Sequence, residues 1–236
     1  MKLKSLFLLF ISLFLENSYA CAPYEVHVRE QWINAYTKEN GTYVSAHPRS
    51  EHCREIKVHR YFQDSNTEEI KGLKTKFKVW SINEKRLLNS ETEGLPPWLK
   101  KYKLSKVLRA NEETGNPNNP AMTIPIPATK TLIIFDKFFP MANKKEIIIH
   151  EMSHFAVWDI DPLQLKEFFM SRGWAYEKGK PPAPPKKVII PDSSDSPSED
   201  FANSVELYYS DPKRLKDFNP KSFLILENII KSKEKQ

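Results

Sequence analysis

Apolar and polar positions along the chain change period several times, and each change marks an element. Residues 24–36 alternate weakly, with Tyr24, Val26 and Val28 on one face, which predicts a strand leading into Trp32-Ile33. Asn40-Gly41, between Tyr36 and Tyr43-Val44, is a hairpin signal because these residues accept the positive φ of a tight turn. Ser81 with Glu84 three residues on is a capping box opening a helix to about Glu91, which Leu95-Pro96-Pro97 ends. Residues 99–108 mix apolar and basic positions, and residues 115–120 (Gly-Asn-Pro-Asn-Asn-Pro) form a rigid loop. Residues 131–135, Thr-Leu-Ile-Ile-Phe, carry the strongest strand signal in the chain.

Asn143 with Glu146 reads as a second capping box, and the helix it opens runs from Lys144 to about Trp158. A further helix is expected over residues 163–172, stopped by Gly173. Residues 178–198 are proline-rich and then serine- and aspartate-rich, which predicts an extended surface connection. From Ser196 a helix places Phe201, Val205 and Tyr208 on one apolar stripe; Asp211-Pro212 ends it, and residues 218–230 supply a closing helix. These elements add up to an α+β fold in which several helices accompany a small sheet, preceded by a short β-rich extension.

The first twenty residues stand apart from this pattern. Lys2 and Lys4 precede an apolar run of leucine and phenylalanine, and Ser18-Tyr19-Ala20 is a small-x-small cleavage site. That is the layout of a secretory signal peptide, and the apolar run is too short to anchor the chain across a bilayer. The expected organisation is a signal peptide over 1–20, a β-rich extension over 21–75 and a catalytic-type domain over 76–236. Export to a secreted or periplasmic location gives the only two cysteines, Cys21 and Cys53, an oxidising compartment in which a disulfide can close. The competing reading is lipidation of Cys21, for which Ser18 stands where an aliphatic residue is expected. The formal net charge of +6 is spread among acids and aromatics, as in Lys71-Lys74-Lys76-Lys78 and Lys100-Lys101-Lys103. It allows attraction to an anionic cell-envelope surface, but no nucleic-acid motif accompanies it. A monomer is expected.

The chemistry concentrates at His150-Glu151-Met152-Ser153-His154, an HExxH between Ile147-Ile148-Ile149 and Phe155-Ala156-Val157. On a helix, residues four apart leave the same face, about 6 Å apart along the axis. Two imidazoles so placed can share one Zn²⁺, and the glutamate beside the first can act as general base on a metal-bound water. The bland alternative is two histidines on a buried helix. A catalytic zinc normally has three protein ligands, and no third histidine follows at short spacing, which excludes the metzincin pattern. The third donor is therefore expected to be a later carboxylate. Glu199 leads, although three residues after Ser196 it could instead bond back to the Ser196 N–H in a capping box. Asp200 and Glu206 are the other acids on that helix, and Glu206, two turns along, could support a histidine N–H from behind. His27, His47, His52 and His59 lack ligand spacing and read as polar or surface residues.

The HExxH helix together with Glu199-Asp200-Phe201-Ala202, then Tyr208, Asp211-Pro212 and Leu215, resembles the catalytic domain of the anthrax-lethal-factor-like metallopeptidases, which are gluzincins. The similarity extends loosely over residues 80–230, including Asn119-Pro120-Ala121 and Phe135-Asp136. It implies a zincin-like fold with the HExxH helix beside the glutamate-bearing helix, His150, His154 and Glu199 as zinc ligands, and Glu151 as catalytic base. In such enzymes a tyrosine shortly before the third ligand stabilises the oxyanion. Here residues 191–198 contain none, and Tyr176, Tyr208 and Tyr209 are the nearest.

The expected function is thus a secreted zinc metalloendopeptidase acting on peptides or proteins, with the substrate strand laid along residues 131–135. A non-catalytic cell-envelope binding protein that keeps the fold is the alternative, and hydrolysis of peptidoglycan stem peptides is a third reading.

Overall fold

The computed structural model describes residues 25–28, 31–38, 40–50, 52–55, 62–64, 70, 73, 75–113, 116–126, 129–177 and 180–235. The expected signal peptide and Cys21 lie outside them, and with Cys21 so does its pairing to Cys53. The described part is α+β, with short strands followed by a largely helical remainder. It divides into two compact units, residues 1–57 and 58–236.

The first unit is one hairpin in three rungs. Strands β1 (Glu25–Val28), β2 (Gln31–Ile33) and β3 (Tyr36–Thr37) pair antiparallel with β6 (His52–Glu55), β5 (His47–Arg49) and β4 (Tyr43–Val44) respectively. Glu25 faces Glu55, Gln31 faces Arg49 and Tyr36 faces Val44, so a single register runs through all three rungs. The turn closes where the sequence places it, with Gly41 at φ +83° donating its N–H to the Lys38 carbonyl at 2.9 Å. His47 is exposed, and its Nδ1 lies 2.9 Å from the Ser45 carbonyl.

The second unit is built on a four-stranded sheet in the order β7 (Phe77–Lys78), β8 (Lys106–Ala110), β10 (Thr129–Ile134), β9 (Ala121–Ile126). β8 and β10 are parallel, and the other two pairings are antiparallel. Both faces of the inner strands are buried. Val107, Leu132 and Ile134 face the main core, whereas Leu108, Ile133 and Phe135 join Phe77, Ile70 and Leu73 on the other side. Described residues between 62 and 75, expected in the N-terminal extension, thus pack with the second unit, Ile70 and Leu73 in that second layer and Phe62 on the main core, where it bridges Val107.

Seven α-helices follow or interleave among the described residues: α1 (Ile82–Glu93), α2 (Pro97–Lys100), α3 (Lys144–Ala156), α4 (Pro162–Arg172), α5 (Pro197–Ser210), α6 (Pro212–Phe218) and α7 (Pro220–Glu234). None is long and apolar enough to cross a membrane. The Ser81–Glu84 box forms in both directions, at 2.8 and 3.2 Å. The Asn143–Glu146 box does not form. Asn143 sits at φ −94°, ψ 43°, outside the extended region from which a cap side chain reaches forward, and makes no side-chain cap bond. Residues 180–196 form a largely exposed connection as expected, apart from a 3-10 turn at Pro191–Ser194 in which Ser193 is buried, and α5 takes over from Pro197.

The helix layer holds its place through one buried ion pair. Arg172, the last residue of α4, donates to Asp200 in α5 through Nε at 3.1 Å and Nη2 at 2.6 Å, and both side chains are fully buried. Trp174 adds an Nε1–H bond to the same carboxylate at 2.9 Å. The chain can turn from Arg172 to Trp174 because Gly173 takes the left-handed conformation at φ +99°. A Cβ at Gly173 would also stand 3.2 Å from that of Pro185.

Gly173→Ala is accordingly expected to lower stability by about 1–2 kcal/mol, read from urea denaturation midpoints. Asp200→Ala strands a buried guanidinium and should cost about 3–5 kcal/mol, whereas the double replacement Arg172→Met/Asp200→Leu should cost clearly less. Equal losses for single and double variants would contradict the ion-pair account.

Candidate metal centre

α3 and α5 pack against each other. Each carries fully buried apolar residues, Ile148 and Ala156 on α3 and Phe201, Ala202 and Val205 on α5. His150 and His154 leave α3 towards the first turn of α5. Their Nε2 atoms are 3.3 Å apart, His150 Nε2 is 3.1 Å from Glu199 Oε2, and His154 Nε2 is 3.5 Å from Glu199 Oε1. Two donors on a tetrahedral ion with bonds of about 2.0–2.1 Å stand roughly 3.3–3.4 Å apart. The spacing matches a metal site. Among the described residues this is the one group of three histidine, cysteine or acidic side chains that could hold a metal ion.

Glu199 is spared from capping. Ser196 caps α5 with its Oγ, 3.1 Å from the Glu199 N–H, but the reciprocal bond from the Glu199 carboxylate is absent from the helix start. The carboxylate turns to the histidines instead. Asp200 is no donor, because its oxygens are taken up by Arg172 and Trp174. Glu206 lies behind the cluster, with Oε2 3.5 Å from His150 Nδ1.

Glu151 lines the same cleft as the histidines, is 7 % exposed and stands next to Thr123 of β9. Burial raises its pKa above the ordinary carboxylate value; the two histidines and a Thr123 hydrogen bond pull in the opposite direction without cancelling it. His150 is pushed up to about 10: burial opposes the charged ring, and hydrogen bonds to Glu199 and Glu206 outweigh burial. Glu199 is held well below the usual carboxylate range; burial opposes ionisation there, but hydrogen bonds from His150 and His154 prevail.

The cluster forms the floor of a cleft of about 580 Å³. Asn116, Asn119, Met122 and Thr123 line one side, and Asp192, Asp195, Ser196 and Ser198 the other. Asn203 braces the second wall, its amide donating to Asp192 Oδ1 at 2.6 Å and Ser193 Oγ at 3.0 Å. A second cavity of about 500 Å³, lined by Leu95, Tyr102, Leu104 and Met152, brings no comparable set of donors together. None of the three tyrosines considered as oxyanion donors lines the cleft. Tyr209 accepts from Trp98 Nε1 at 2.8 Å, Tyr208 packs on Phe223, and Tyr176 is half exposed.

No protein-family model, curated protein or solved structure matches the chain.

Sequence reasoning reached His150, Glu151, His154, Glu199 and the place of Glu206. It missed Thr123, whose strand is interrupted by Pro125, and Ser198, whose Oγ lies 2.8 Å from His154 Nδ1. The Ser-x-Ser-Glu spacing at 196–199 was the available signal for Ser198, since the first serine alone suffices as the cap.

A metal held by these residues would compete with a proton for His150. Its folded pKa lies above the unfolded value of about 6.5, so its ion pair stabilises the metal-free fold fully below pH 6.5 and is lost as pH rises towards 10. Zn²⁺ binding near pH 7 should therefore release roughly one proton from His150, measurable by calorimetry in buffers of different ionisation enthalpy. Apparent affinity should keep climbing from pH 7 to 9; a plateau above pH 7.5 would contradict the raised pKa.

Proposed function

We propose that the chain is a zinc-dependent peptidase of the gluzincin type, exported to a secreted or periplasmic location. The observation that carries this is the convergence of His150, His154 and Glu199 Oε atoms beside a buried Glu151. Three such donors and an open cleft suit zinc, which takes nitrogen and oxygen ligands and keeps a position for solvent in catalytic sites. A zinc ion bound there supplies a water of lowered pKa and a Lewis acid for the substrate carbonyl. The resemblance of residues 80–230 to the anthrax-lethal-factor-like catalytic domains supports the same reading, and so does the side-by-side packing of α3 and α5.

Glu151 takes the proton part. Its carboxylate, made more basic by burial, accepts a proton from the attacking water and returns it to the leaving amine. A structural metal site has no need of such a group between its ligands. Thr123 holds Glu151 against the sheet and limits its rotation.

The substrate strand has a different home from the one first expected. Thr131–Phe135 belongs to an inner strand, since β10 has β8 on one side and β9 on the other, so its backbone has no free edge. β9 is the edge, and its Met122 and Thr123 line the cleft. An extended peptide adding to β9 lies across the histidines, with main-chain pairing fixing it independently of its side chains. A proline at Ile133 would disrupt the sheet itself and not a substrate contact.

The binding-protein reading keeps the fold and drops the hydrolysis, with zinc structural or absent. The absence of a tyrosine, lysine or arginine among the described lining residues favours slow turnover, because no cationic or phenolic donor faces the developing oxyanion. Zinc-loaded wild type is expected to hydrolyse casein or a peptide library, and Glu151→Gln should bind zinc stoichiometrically while losing about 10²–10⁴-fold in kcat. Equal background hydrolysis by both zinc-loaded proteins would leave the binding protein as the better account.

A further inference from the structure

We infer that Ser198 is a positioning residue that holds His154 from behind, so that its Nε2 is presented to the metal. The inference rests on the metal-site reading of His150, His154 and Glu199 and adds a residue to it. Its Oγ is 2.8 Å from His154 Nδ1, a well-formed hydrogen-bond distance. On the opposite edge of the same ring, Nε2 faces Glu199 Oε1 at 3.5 Å and His150 Nε2 at 3.3 Å. Two consecutive residues of α5 therefore grip one imidazole from its two nitrogens.

The chemistry makes that grip directional. A neutral imidazole carries one N–H, and the nitrogen that ligates a metal must offer its lone pair. With Nε2 committed to the metal, Nδ1 carries the hydrogen and donates it to Ser198 Oγ. The ring is 8 % exposed, so solvent cannot freely replace the hydroxyl. His150 is backed differently, by the Glu206 carboxylate at the longer distance of 3.5 Å. The two ligands thus have separate supports, one a hydroxyl at the start of α5 and the other an acid two turns later.

A purely structural role for Ser198 is poorly motivated. Ser196 already caps α5 through the Glu199 N–H, and Pro197 at the first helical position has no N–H to satisfy. The helix start is complete without the Ser198 hydroxyl, and alanine there is a better helix former than serine. Removing the hydroxyl should therefore leave the helix start intact and act through His154.

The test uses the full chain as wild type, Ser198→Ala, Ser198→Thr and Ser198→Val, with zinc affinity measured by chelator competition and thermal midpoints taken without metal. Ser198→Ala and Ser198→Val should raise the zinc Kd about 10–100-fold, with Ser198→Ala still folding cooperatively without metal. Ser198→Thr, which keeps the hydroxyl, should hold the wild-type Kd, and ¹⁵N shifts of His154 in its zinc form should report a protonated Nδ1. If Ser198→Ala fails to fold, the Thr and Val pair carries the comparison at matched shape. Wild-type zinc affinity in Ser198→Val overturns the role of Ser198 alone. Failure of the wild type to bind zinc, or binding that survives His150→Ala/His154→Ala, overturns the metal-site reading and this inference with it.

Discussion

Three donor atoms on two helices have to arrive within a few ångströms of one another, and the packing of α3 against α5 is what brings them there. The HExxH spacing alone puts two imidazoles on one face of α3. It says nothing about where the carboxylate of the cluster stands, because Glu199 is 49 residues from His150. Burial of apolar residues on both helices, Ile148 and Ala156 on α3 and Phe201, Ala202 and Val205 on α5, sets each helix in the core and so decides it. A slip of one residue in α5 would turn Glu199 by about 100° around its helix. The site then loses its carboxylate.

Polar groups near that seam defend it against such a slip. Asp200 immediately follows Glu199, and its bonds to Arg172 and Trp174 fix the rotation of α5 just beyond the ligand. A buried ion pair adds little net stability over an apolar replacement, since desolvation offsets the attraction. What it does supply here is a geometry with one solution. Ser196 and Asn203 act on the same stretch, one by capping the helix and the other by tying it to the 3-10 turn of the cleft wall. Glu199 thus stands on a first turn anchored on three sides.

The legible parts of the sequence were those with local causes. The Ser81–Glu84 box, the Asn40-Gly41 turn, the Gly173 stop and the HExxH helix all depend on contacts within a few residues, and all appear. β8 and β9 escaped for tertiary reasons. β8 carries Arg109 at a buried position, where Glu84 accepts from Nε at 2.9 Å and Asp136 from Nη2, so a charged residue broke an otherwise apolar run. β9 contains Pro125, which argues against an inner strand and is tolerated on an edge. Asn143 failed as a cap because its backbone, set by the preceding turn, is not extended. In each case the deciding partner lies far away in sequence or in a backbone angle that no residue type dictates.

Charge distribution gives the site a character that composition hides. The chain carries a formal net charge of +6, yet the described residues lining the cleft include four acids, Glu151, Asp192, Asp195 and Glu199, and no lysine or arginine. Acids held this close in a partly dry cleft repel one another unless something positive stands between them. The metal-free arrangement meets that demand by keeping a proton on His150, whose pKa is driven up to about 10. A divalent cation held there would meet it better, because it would lie against both imidazoles and the Glu199 carboxylate at once and leave His150 neutral. The same field that makes the histidine basic therefore favours its exchange of a proton for a metal. Glu151, buried and turned towards Thr123, stays outside that exchange with its own proton affinity raised by burial.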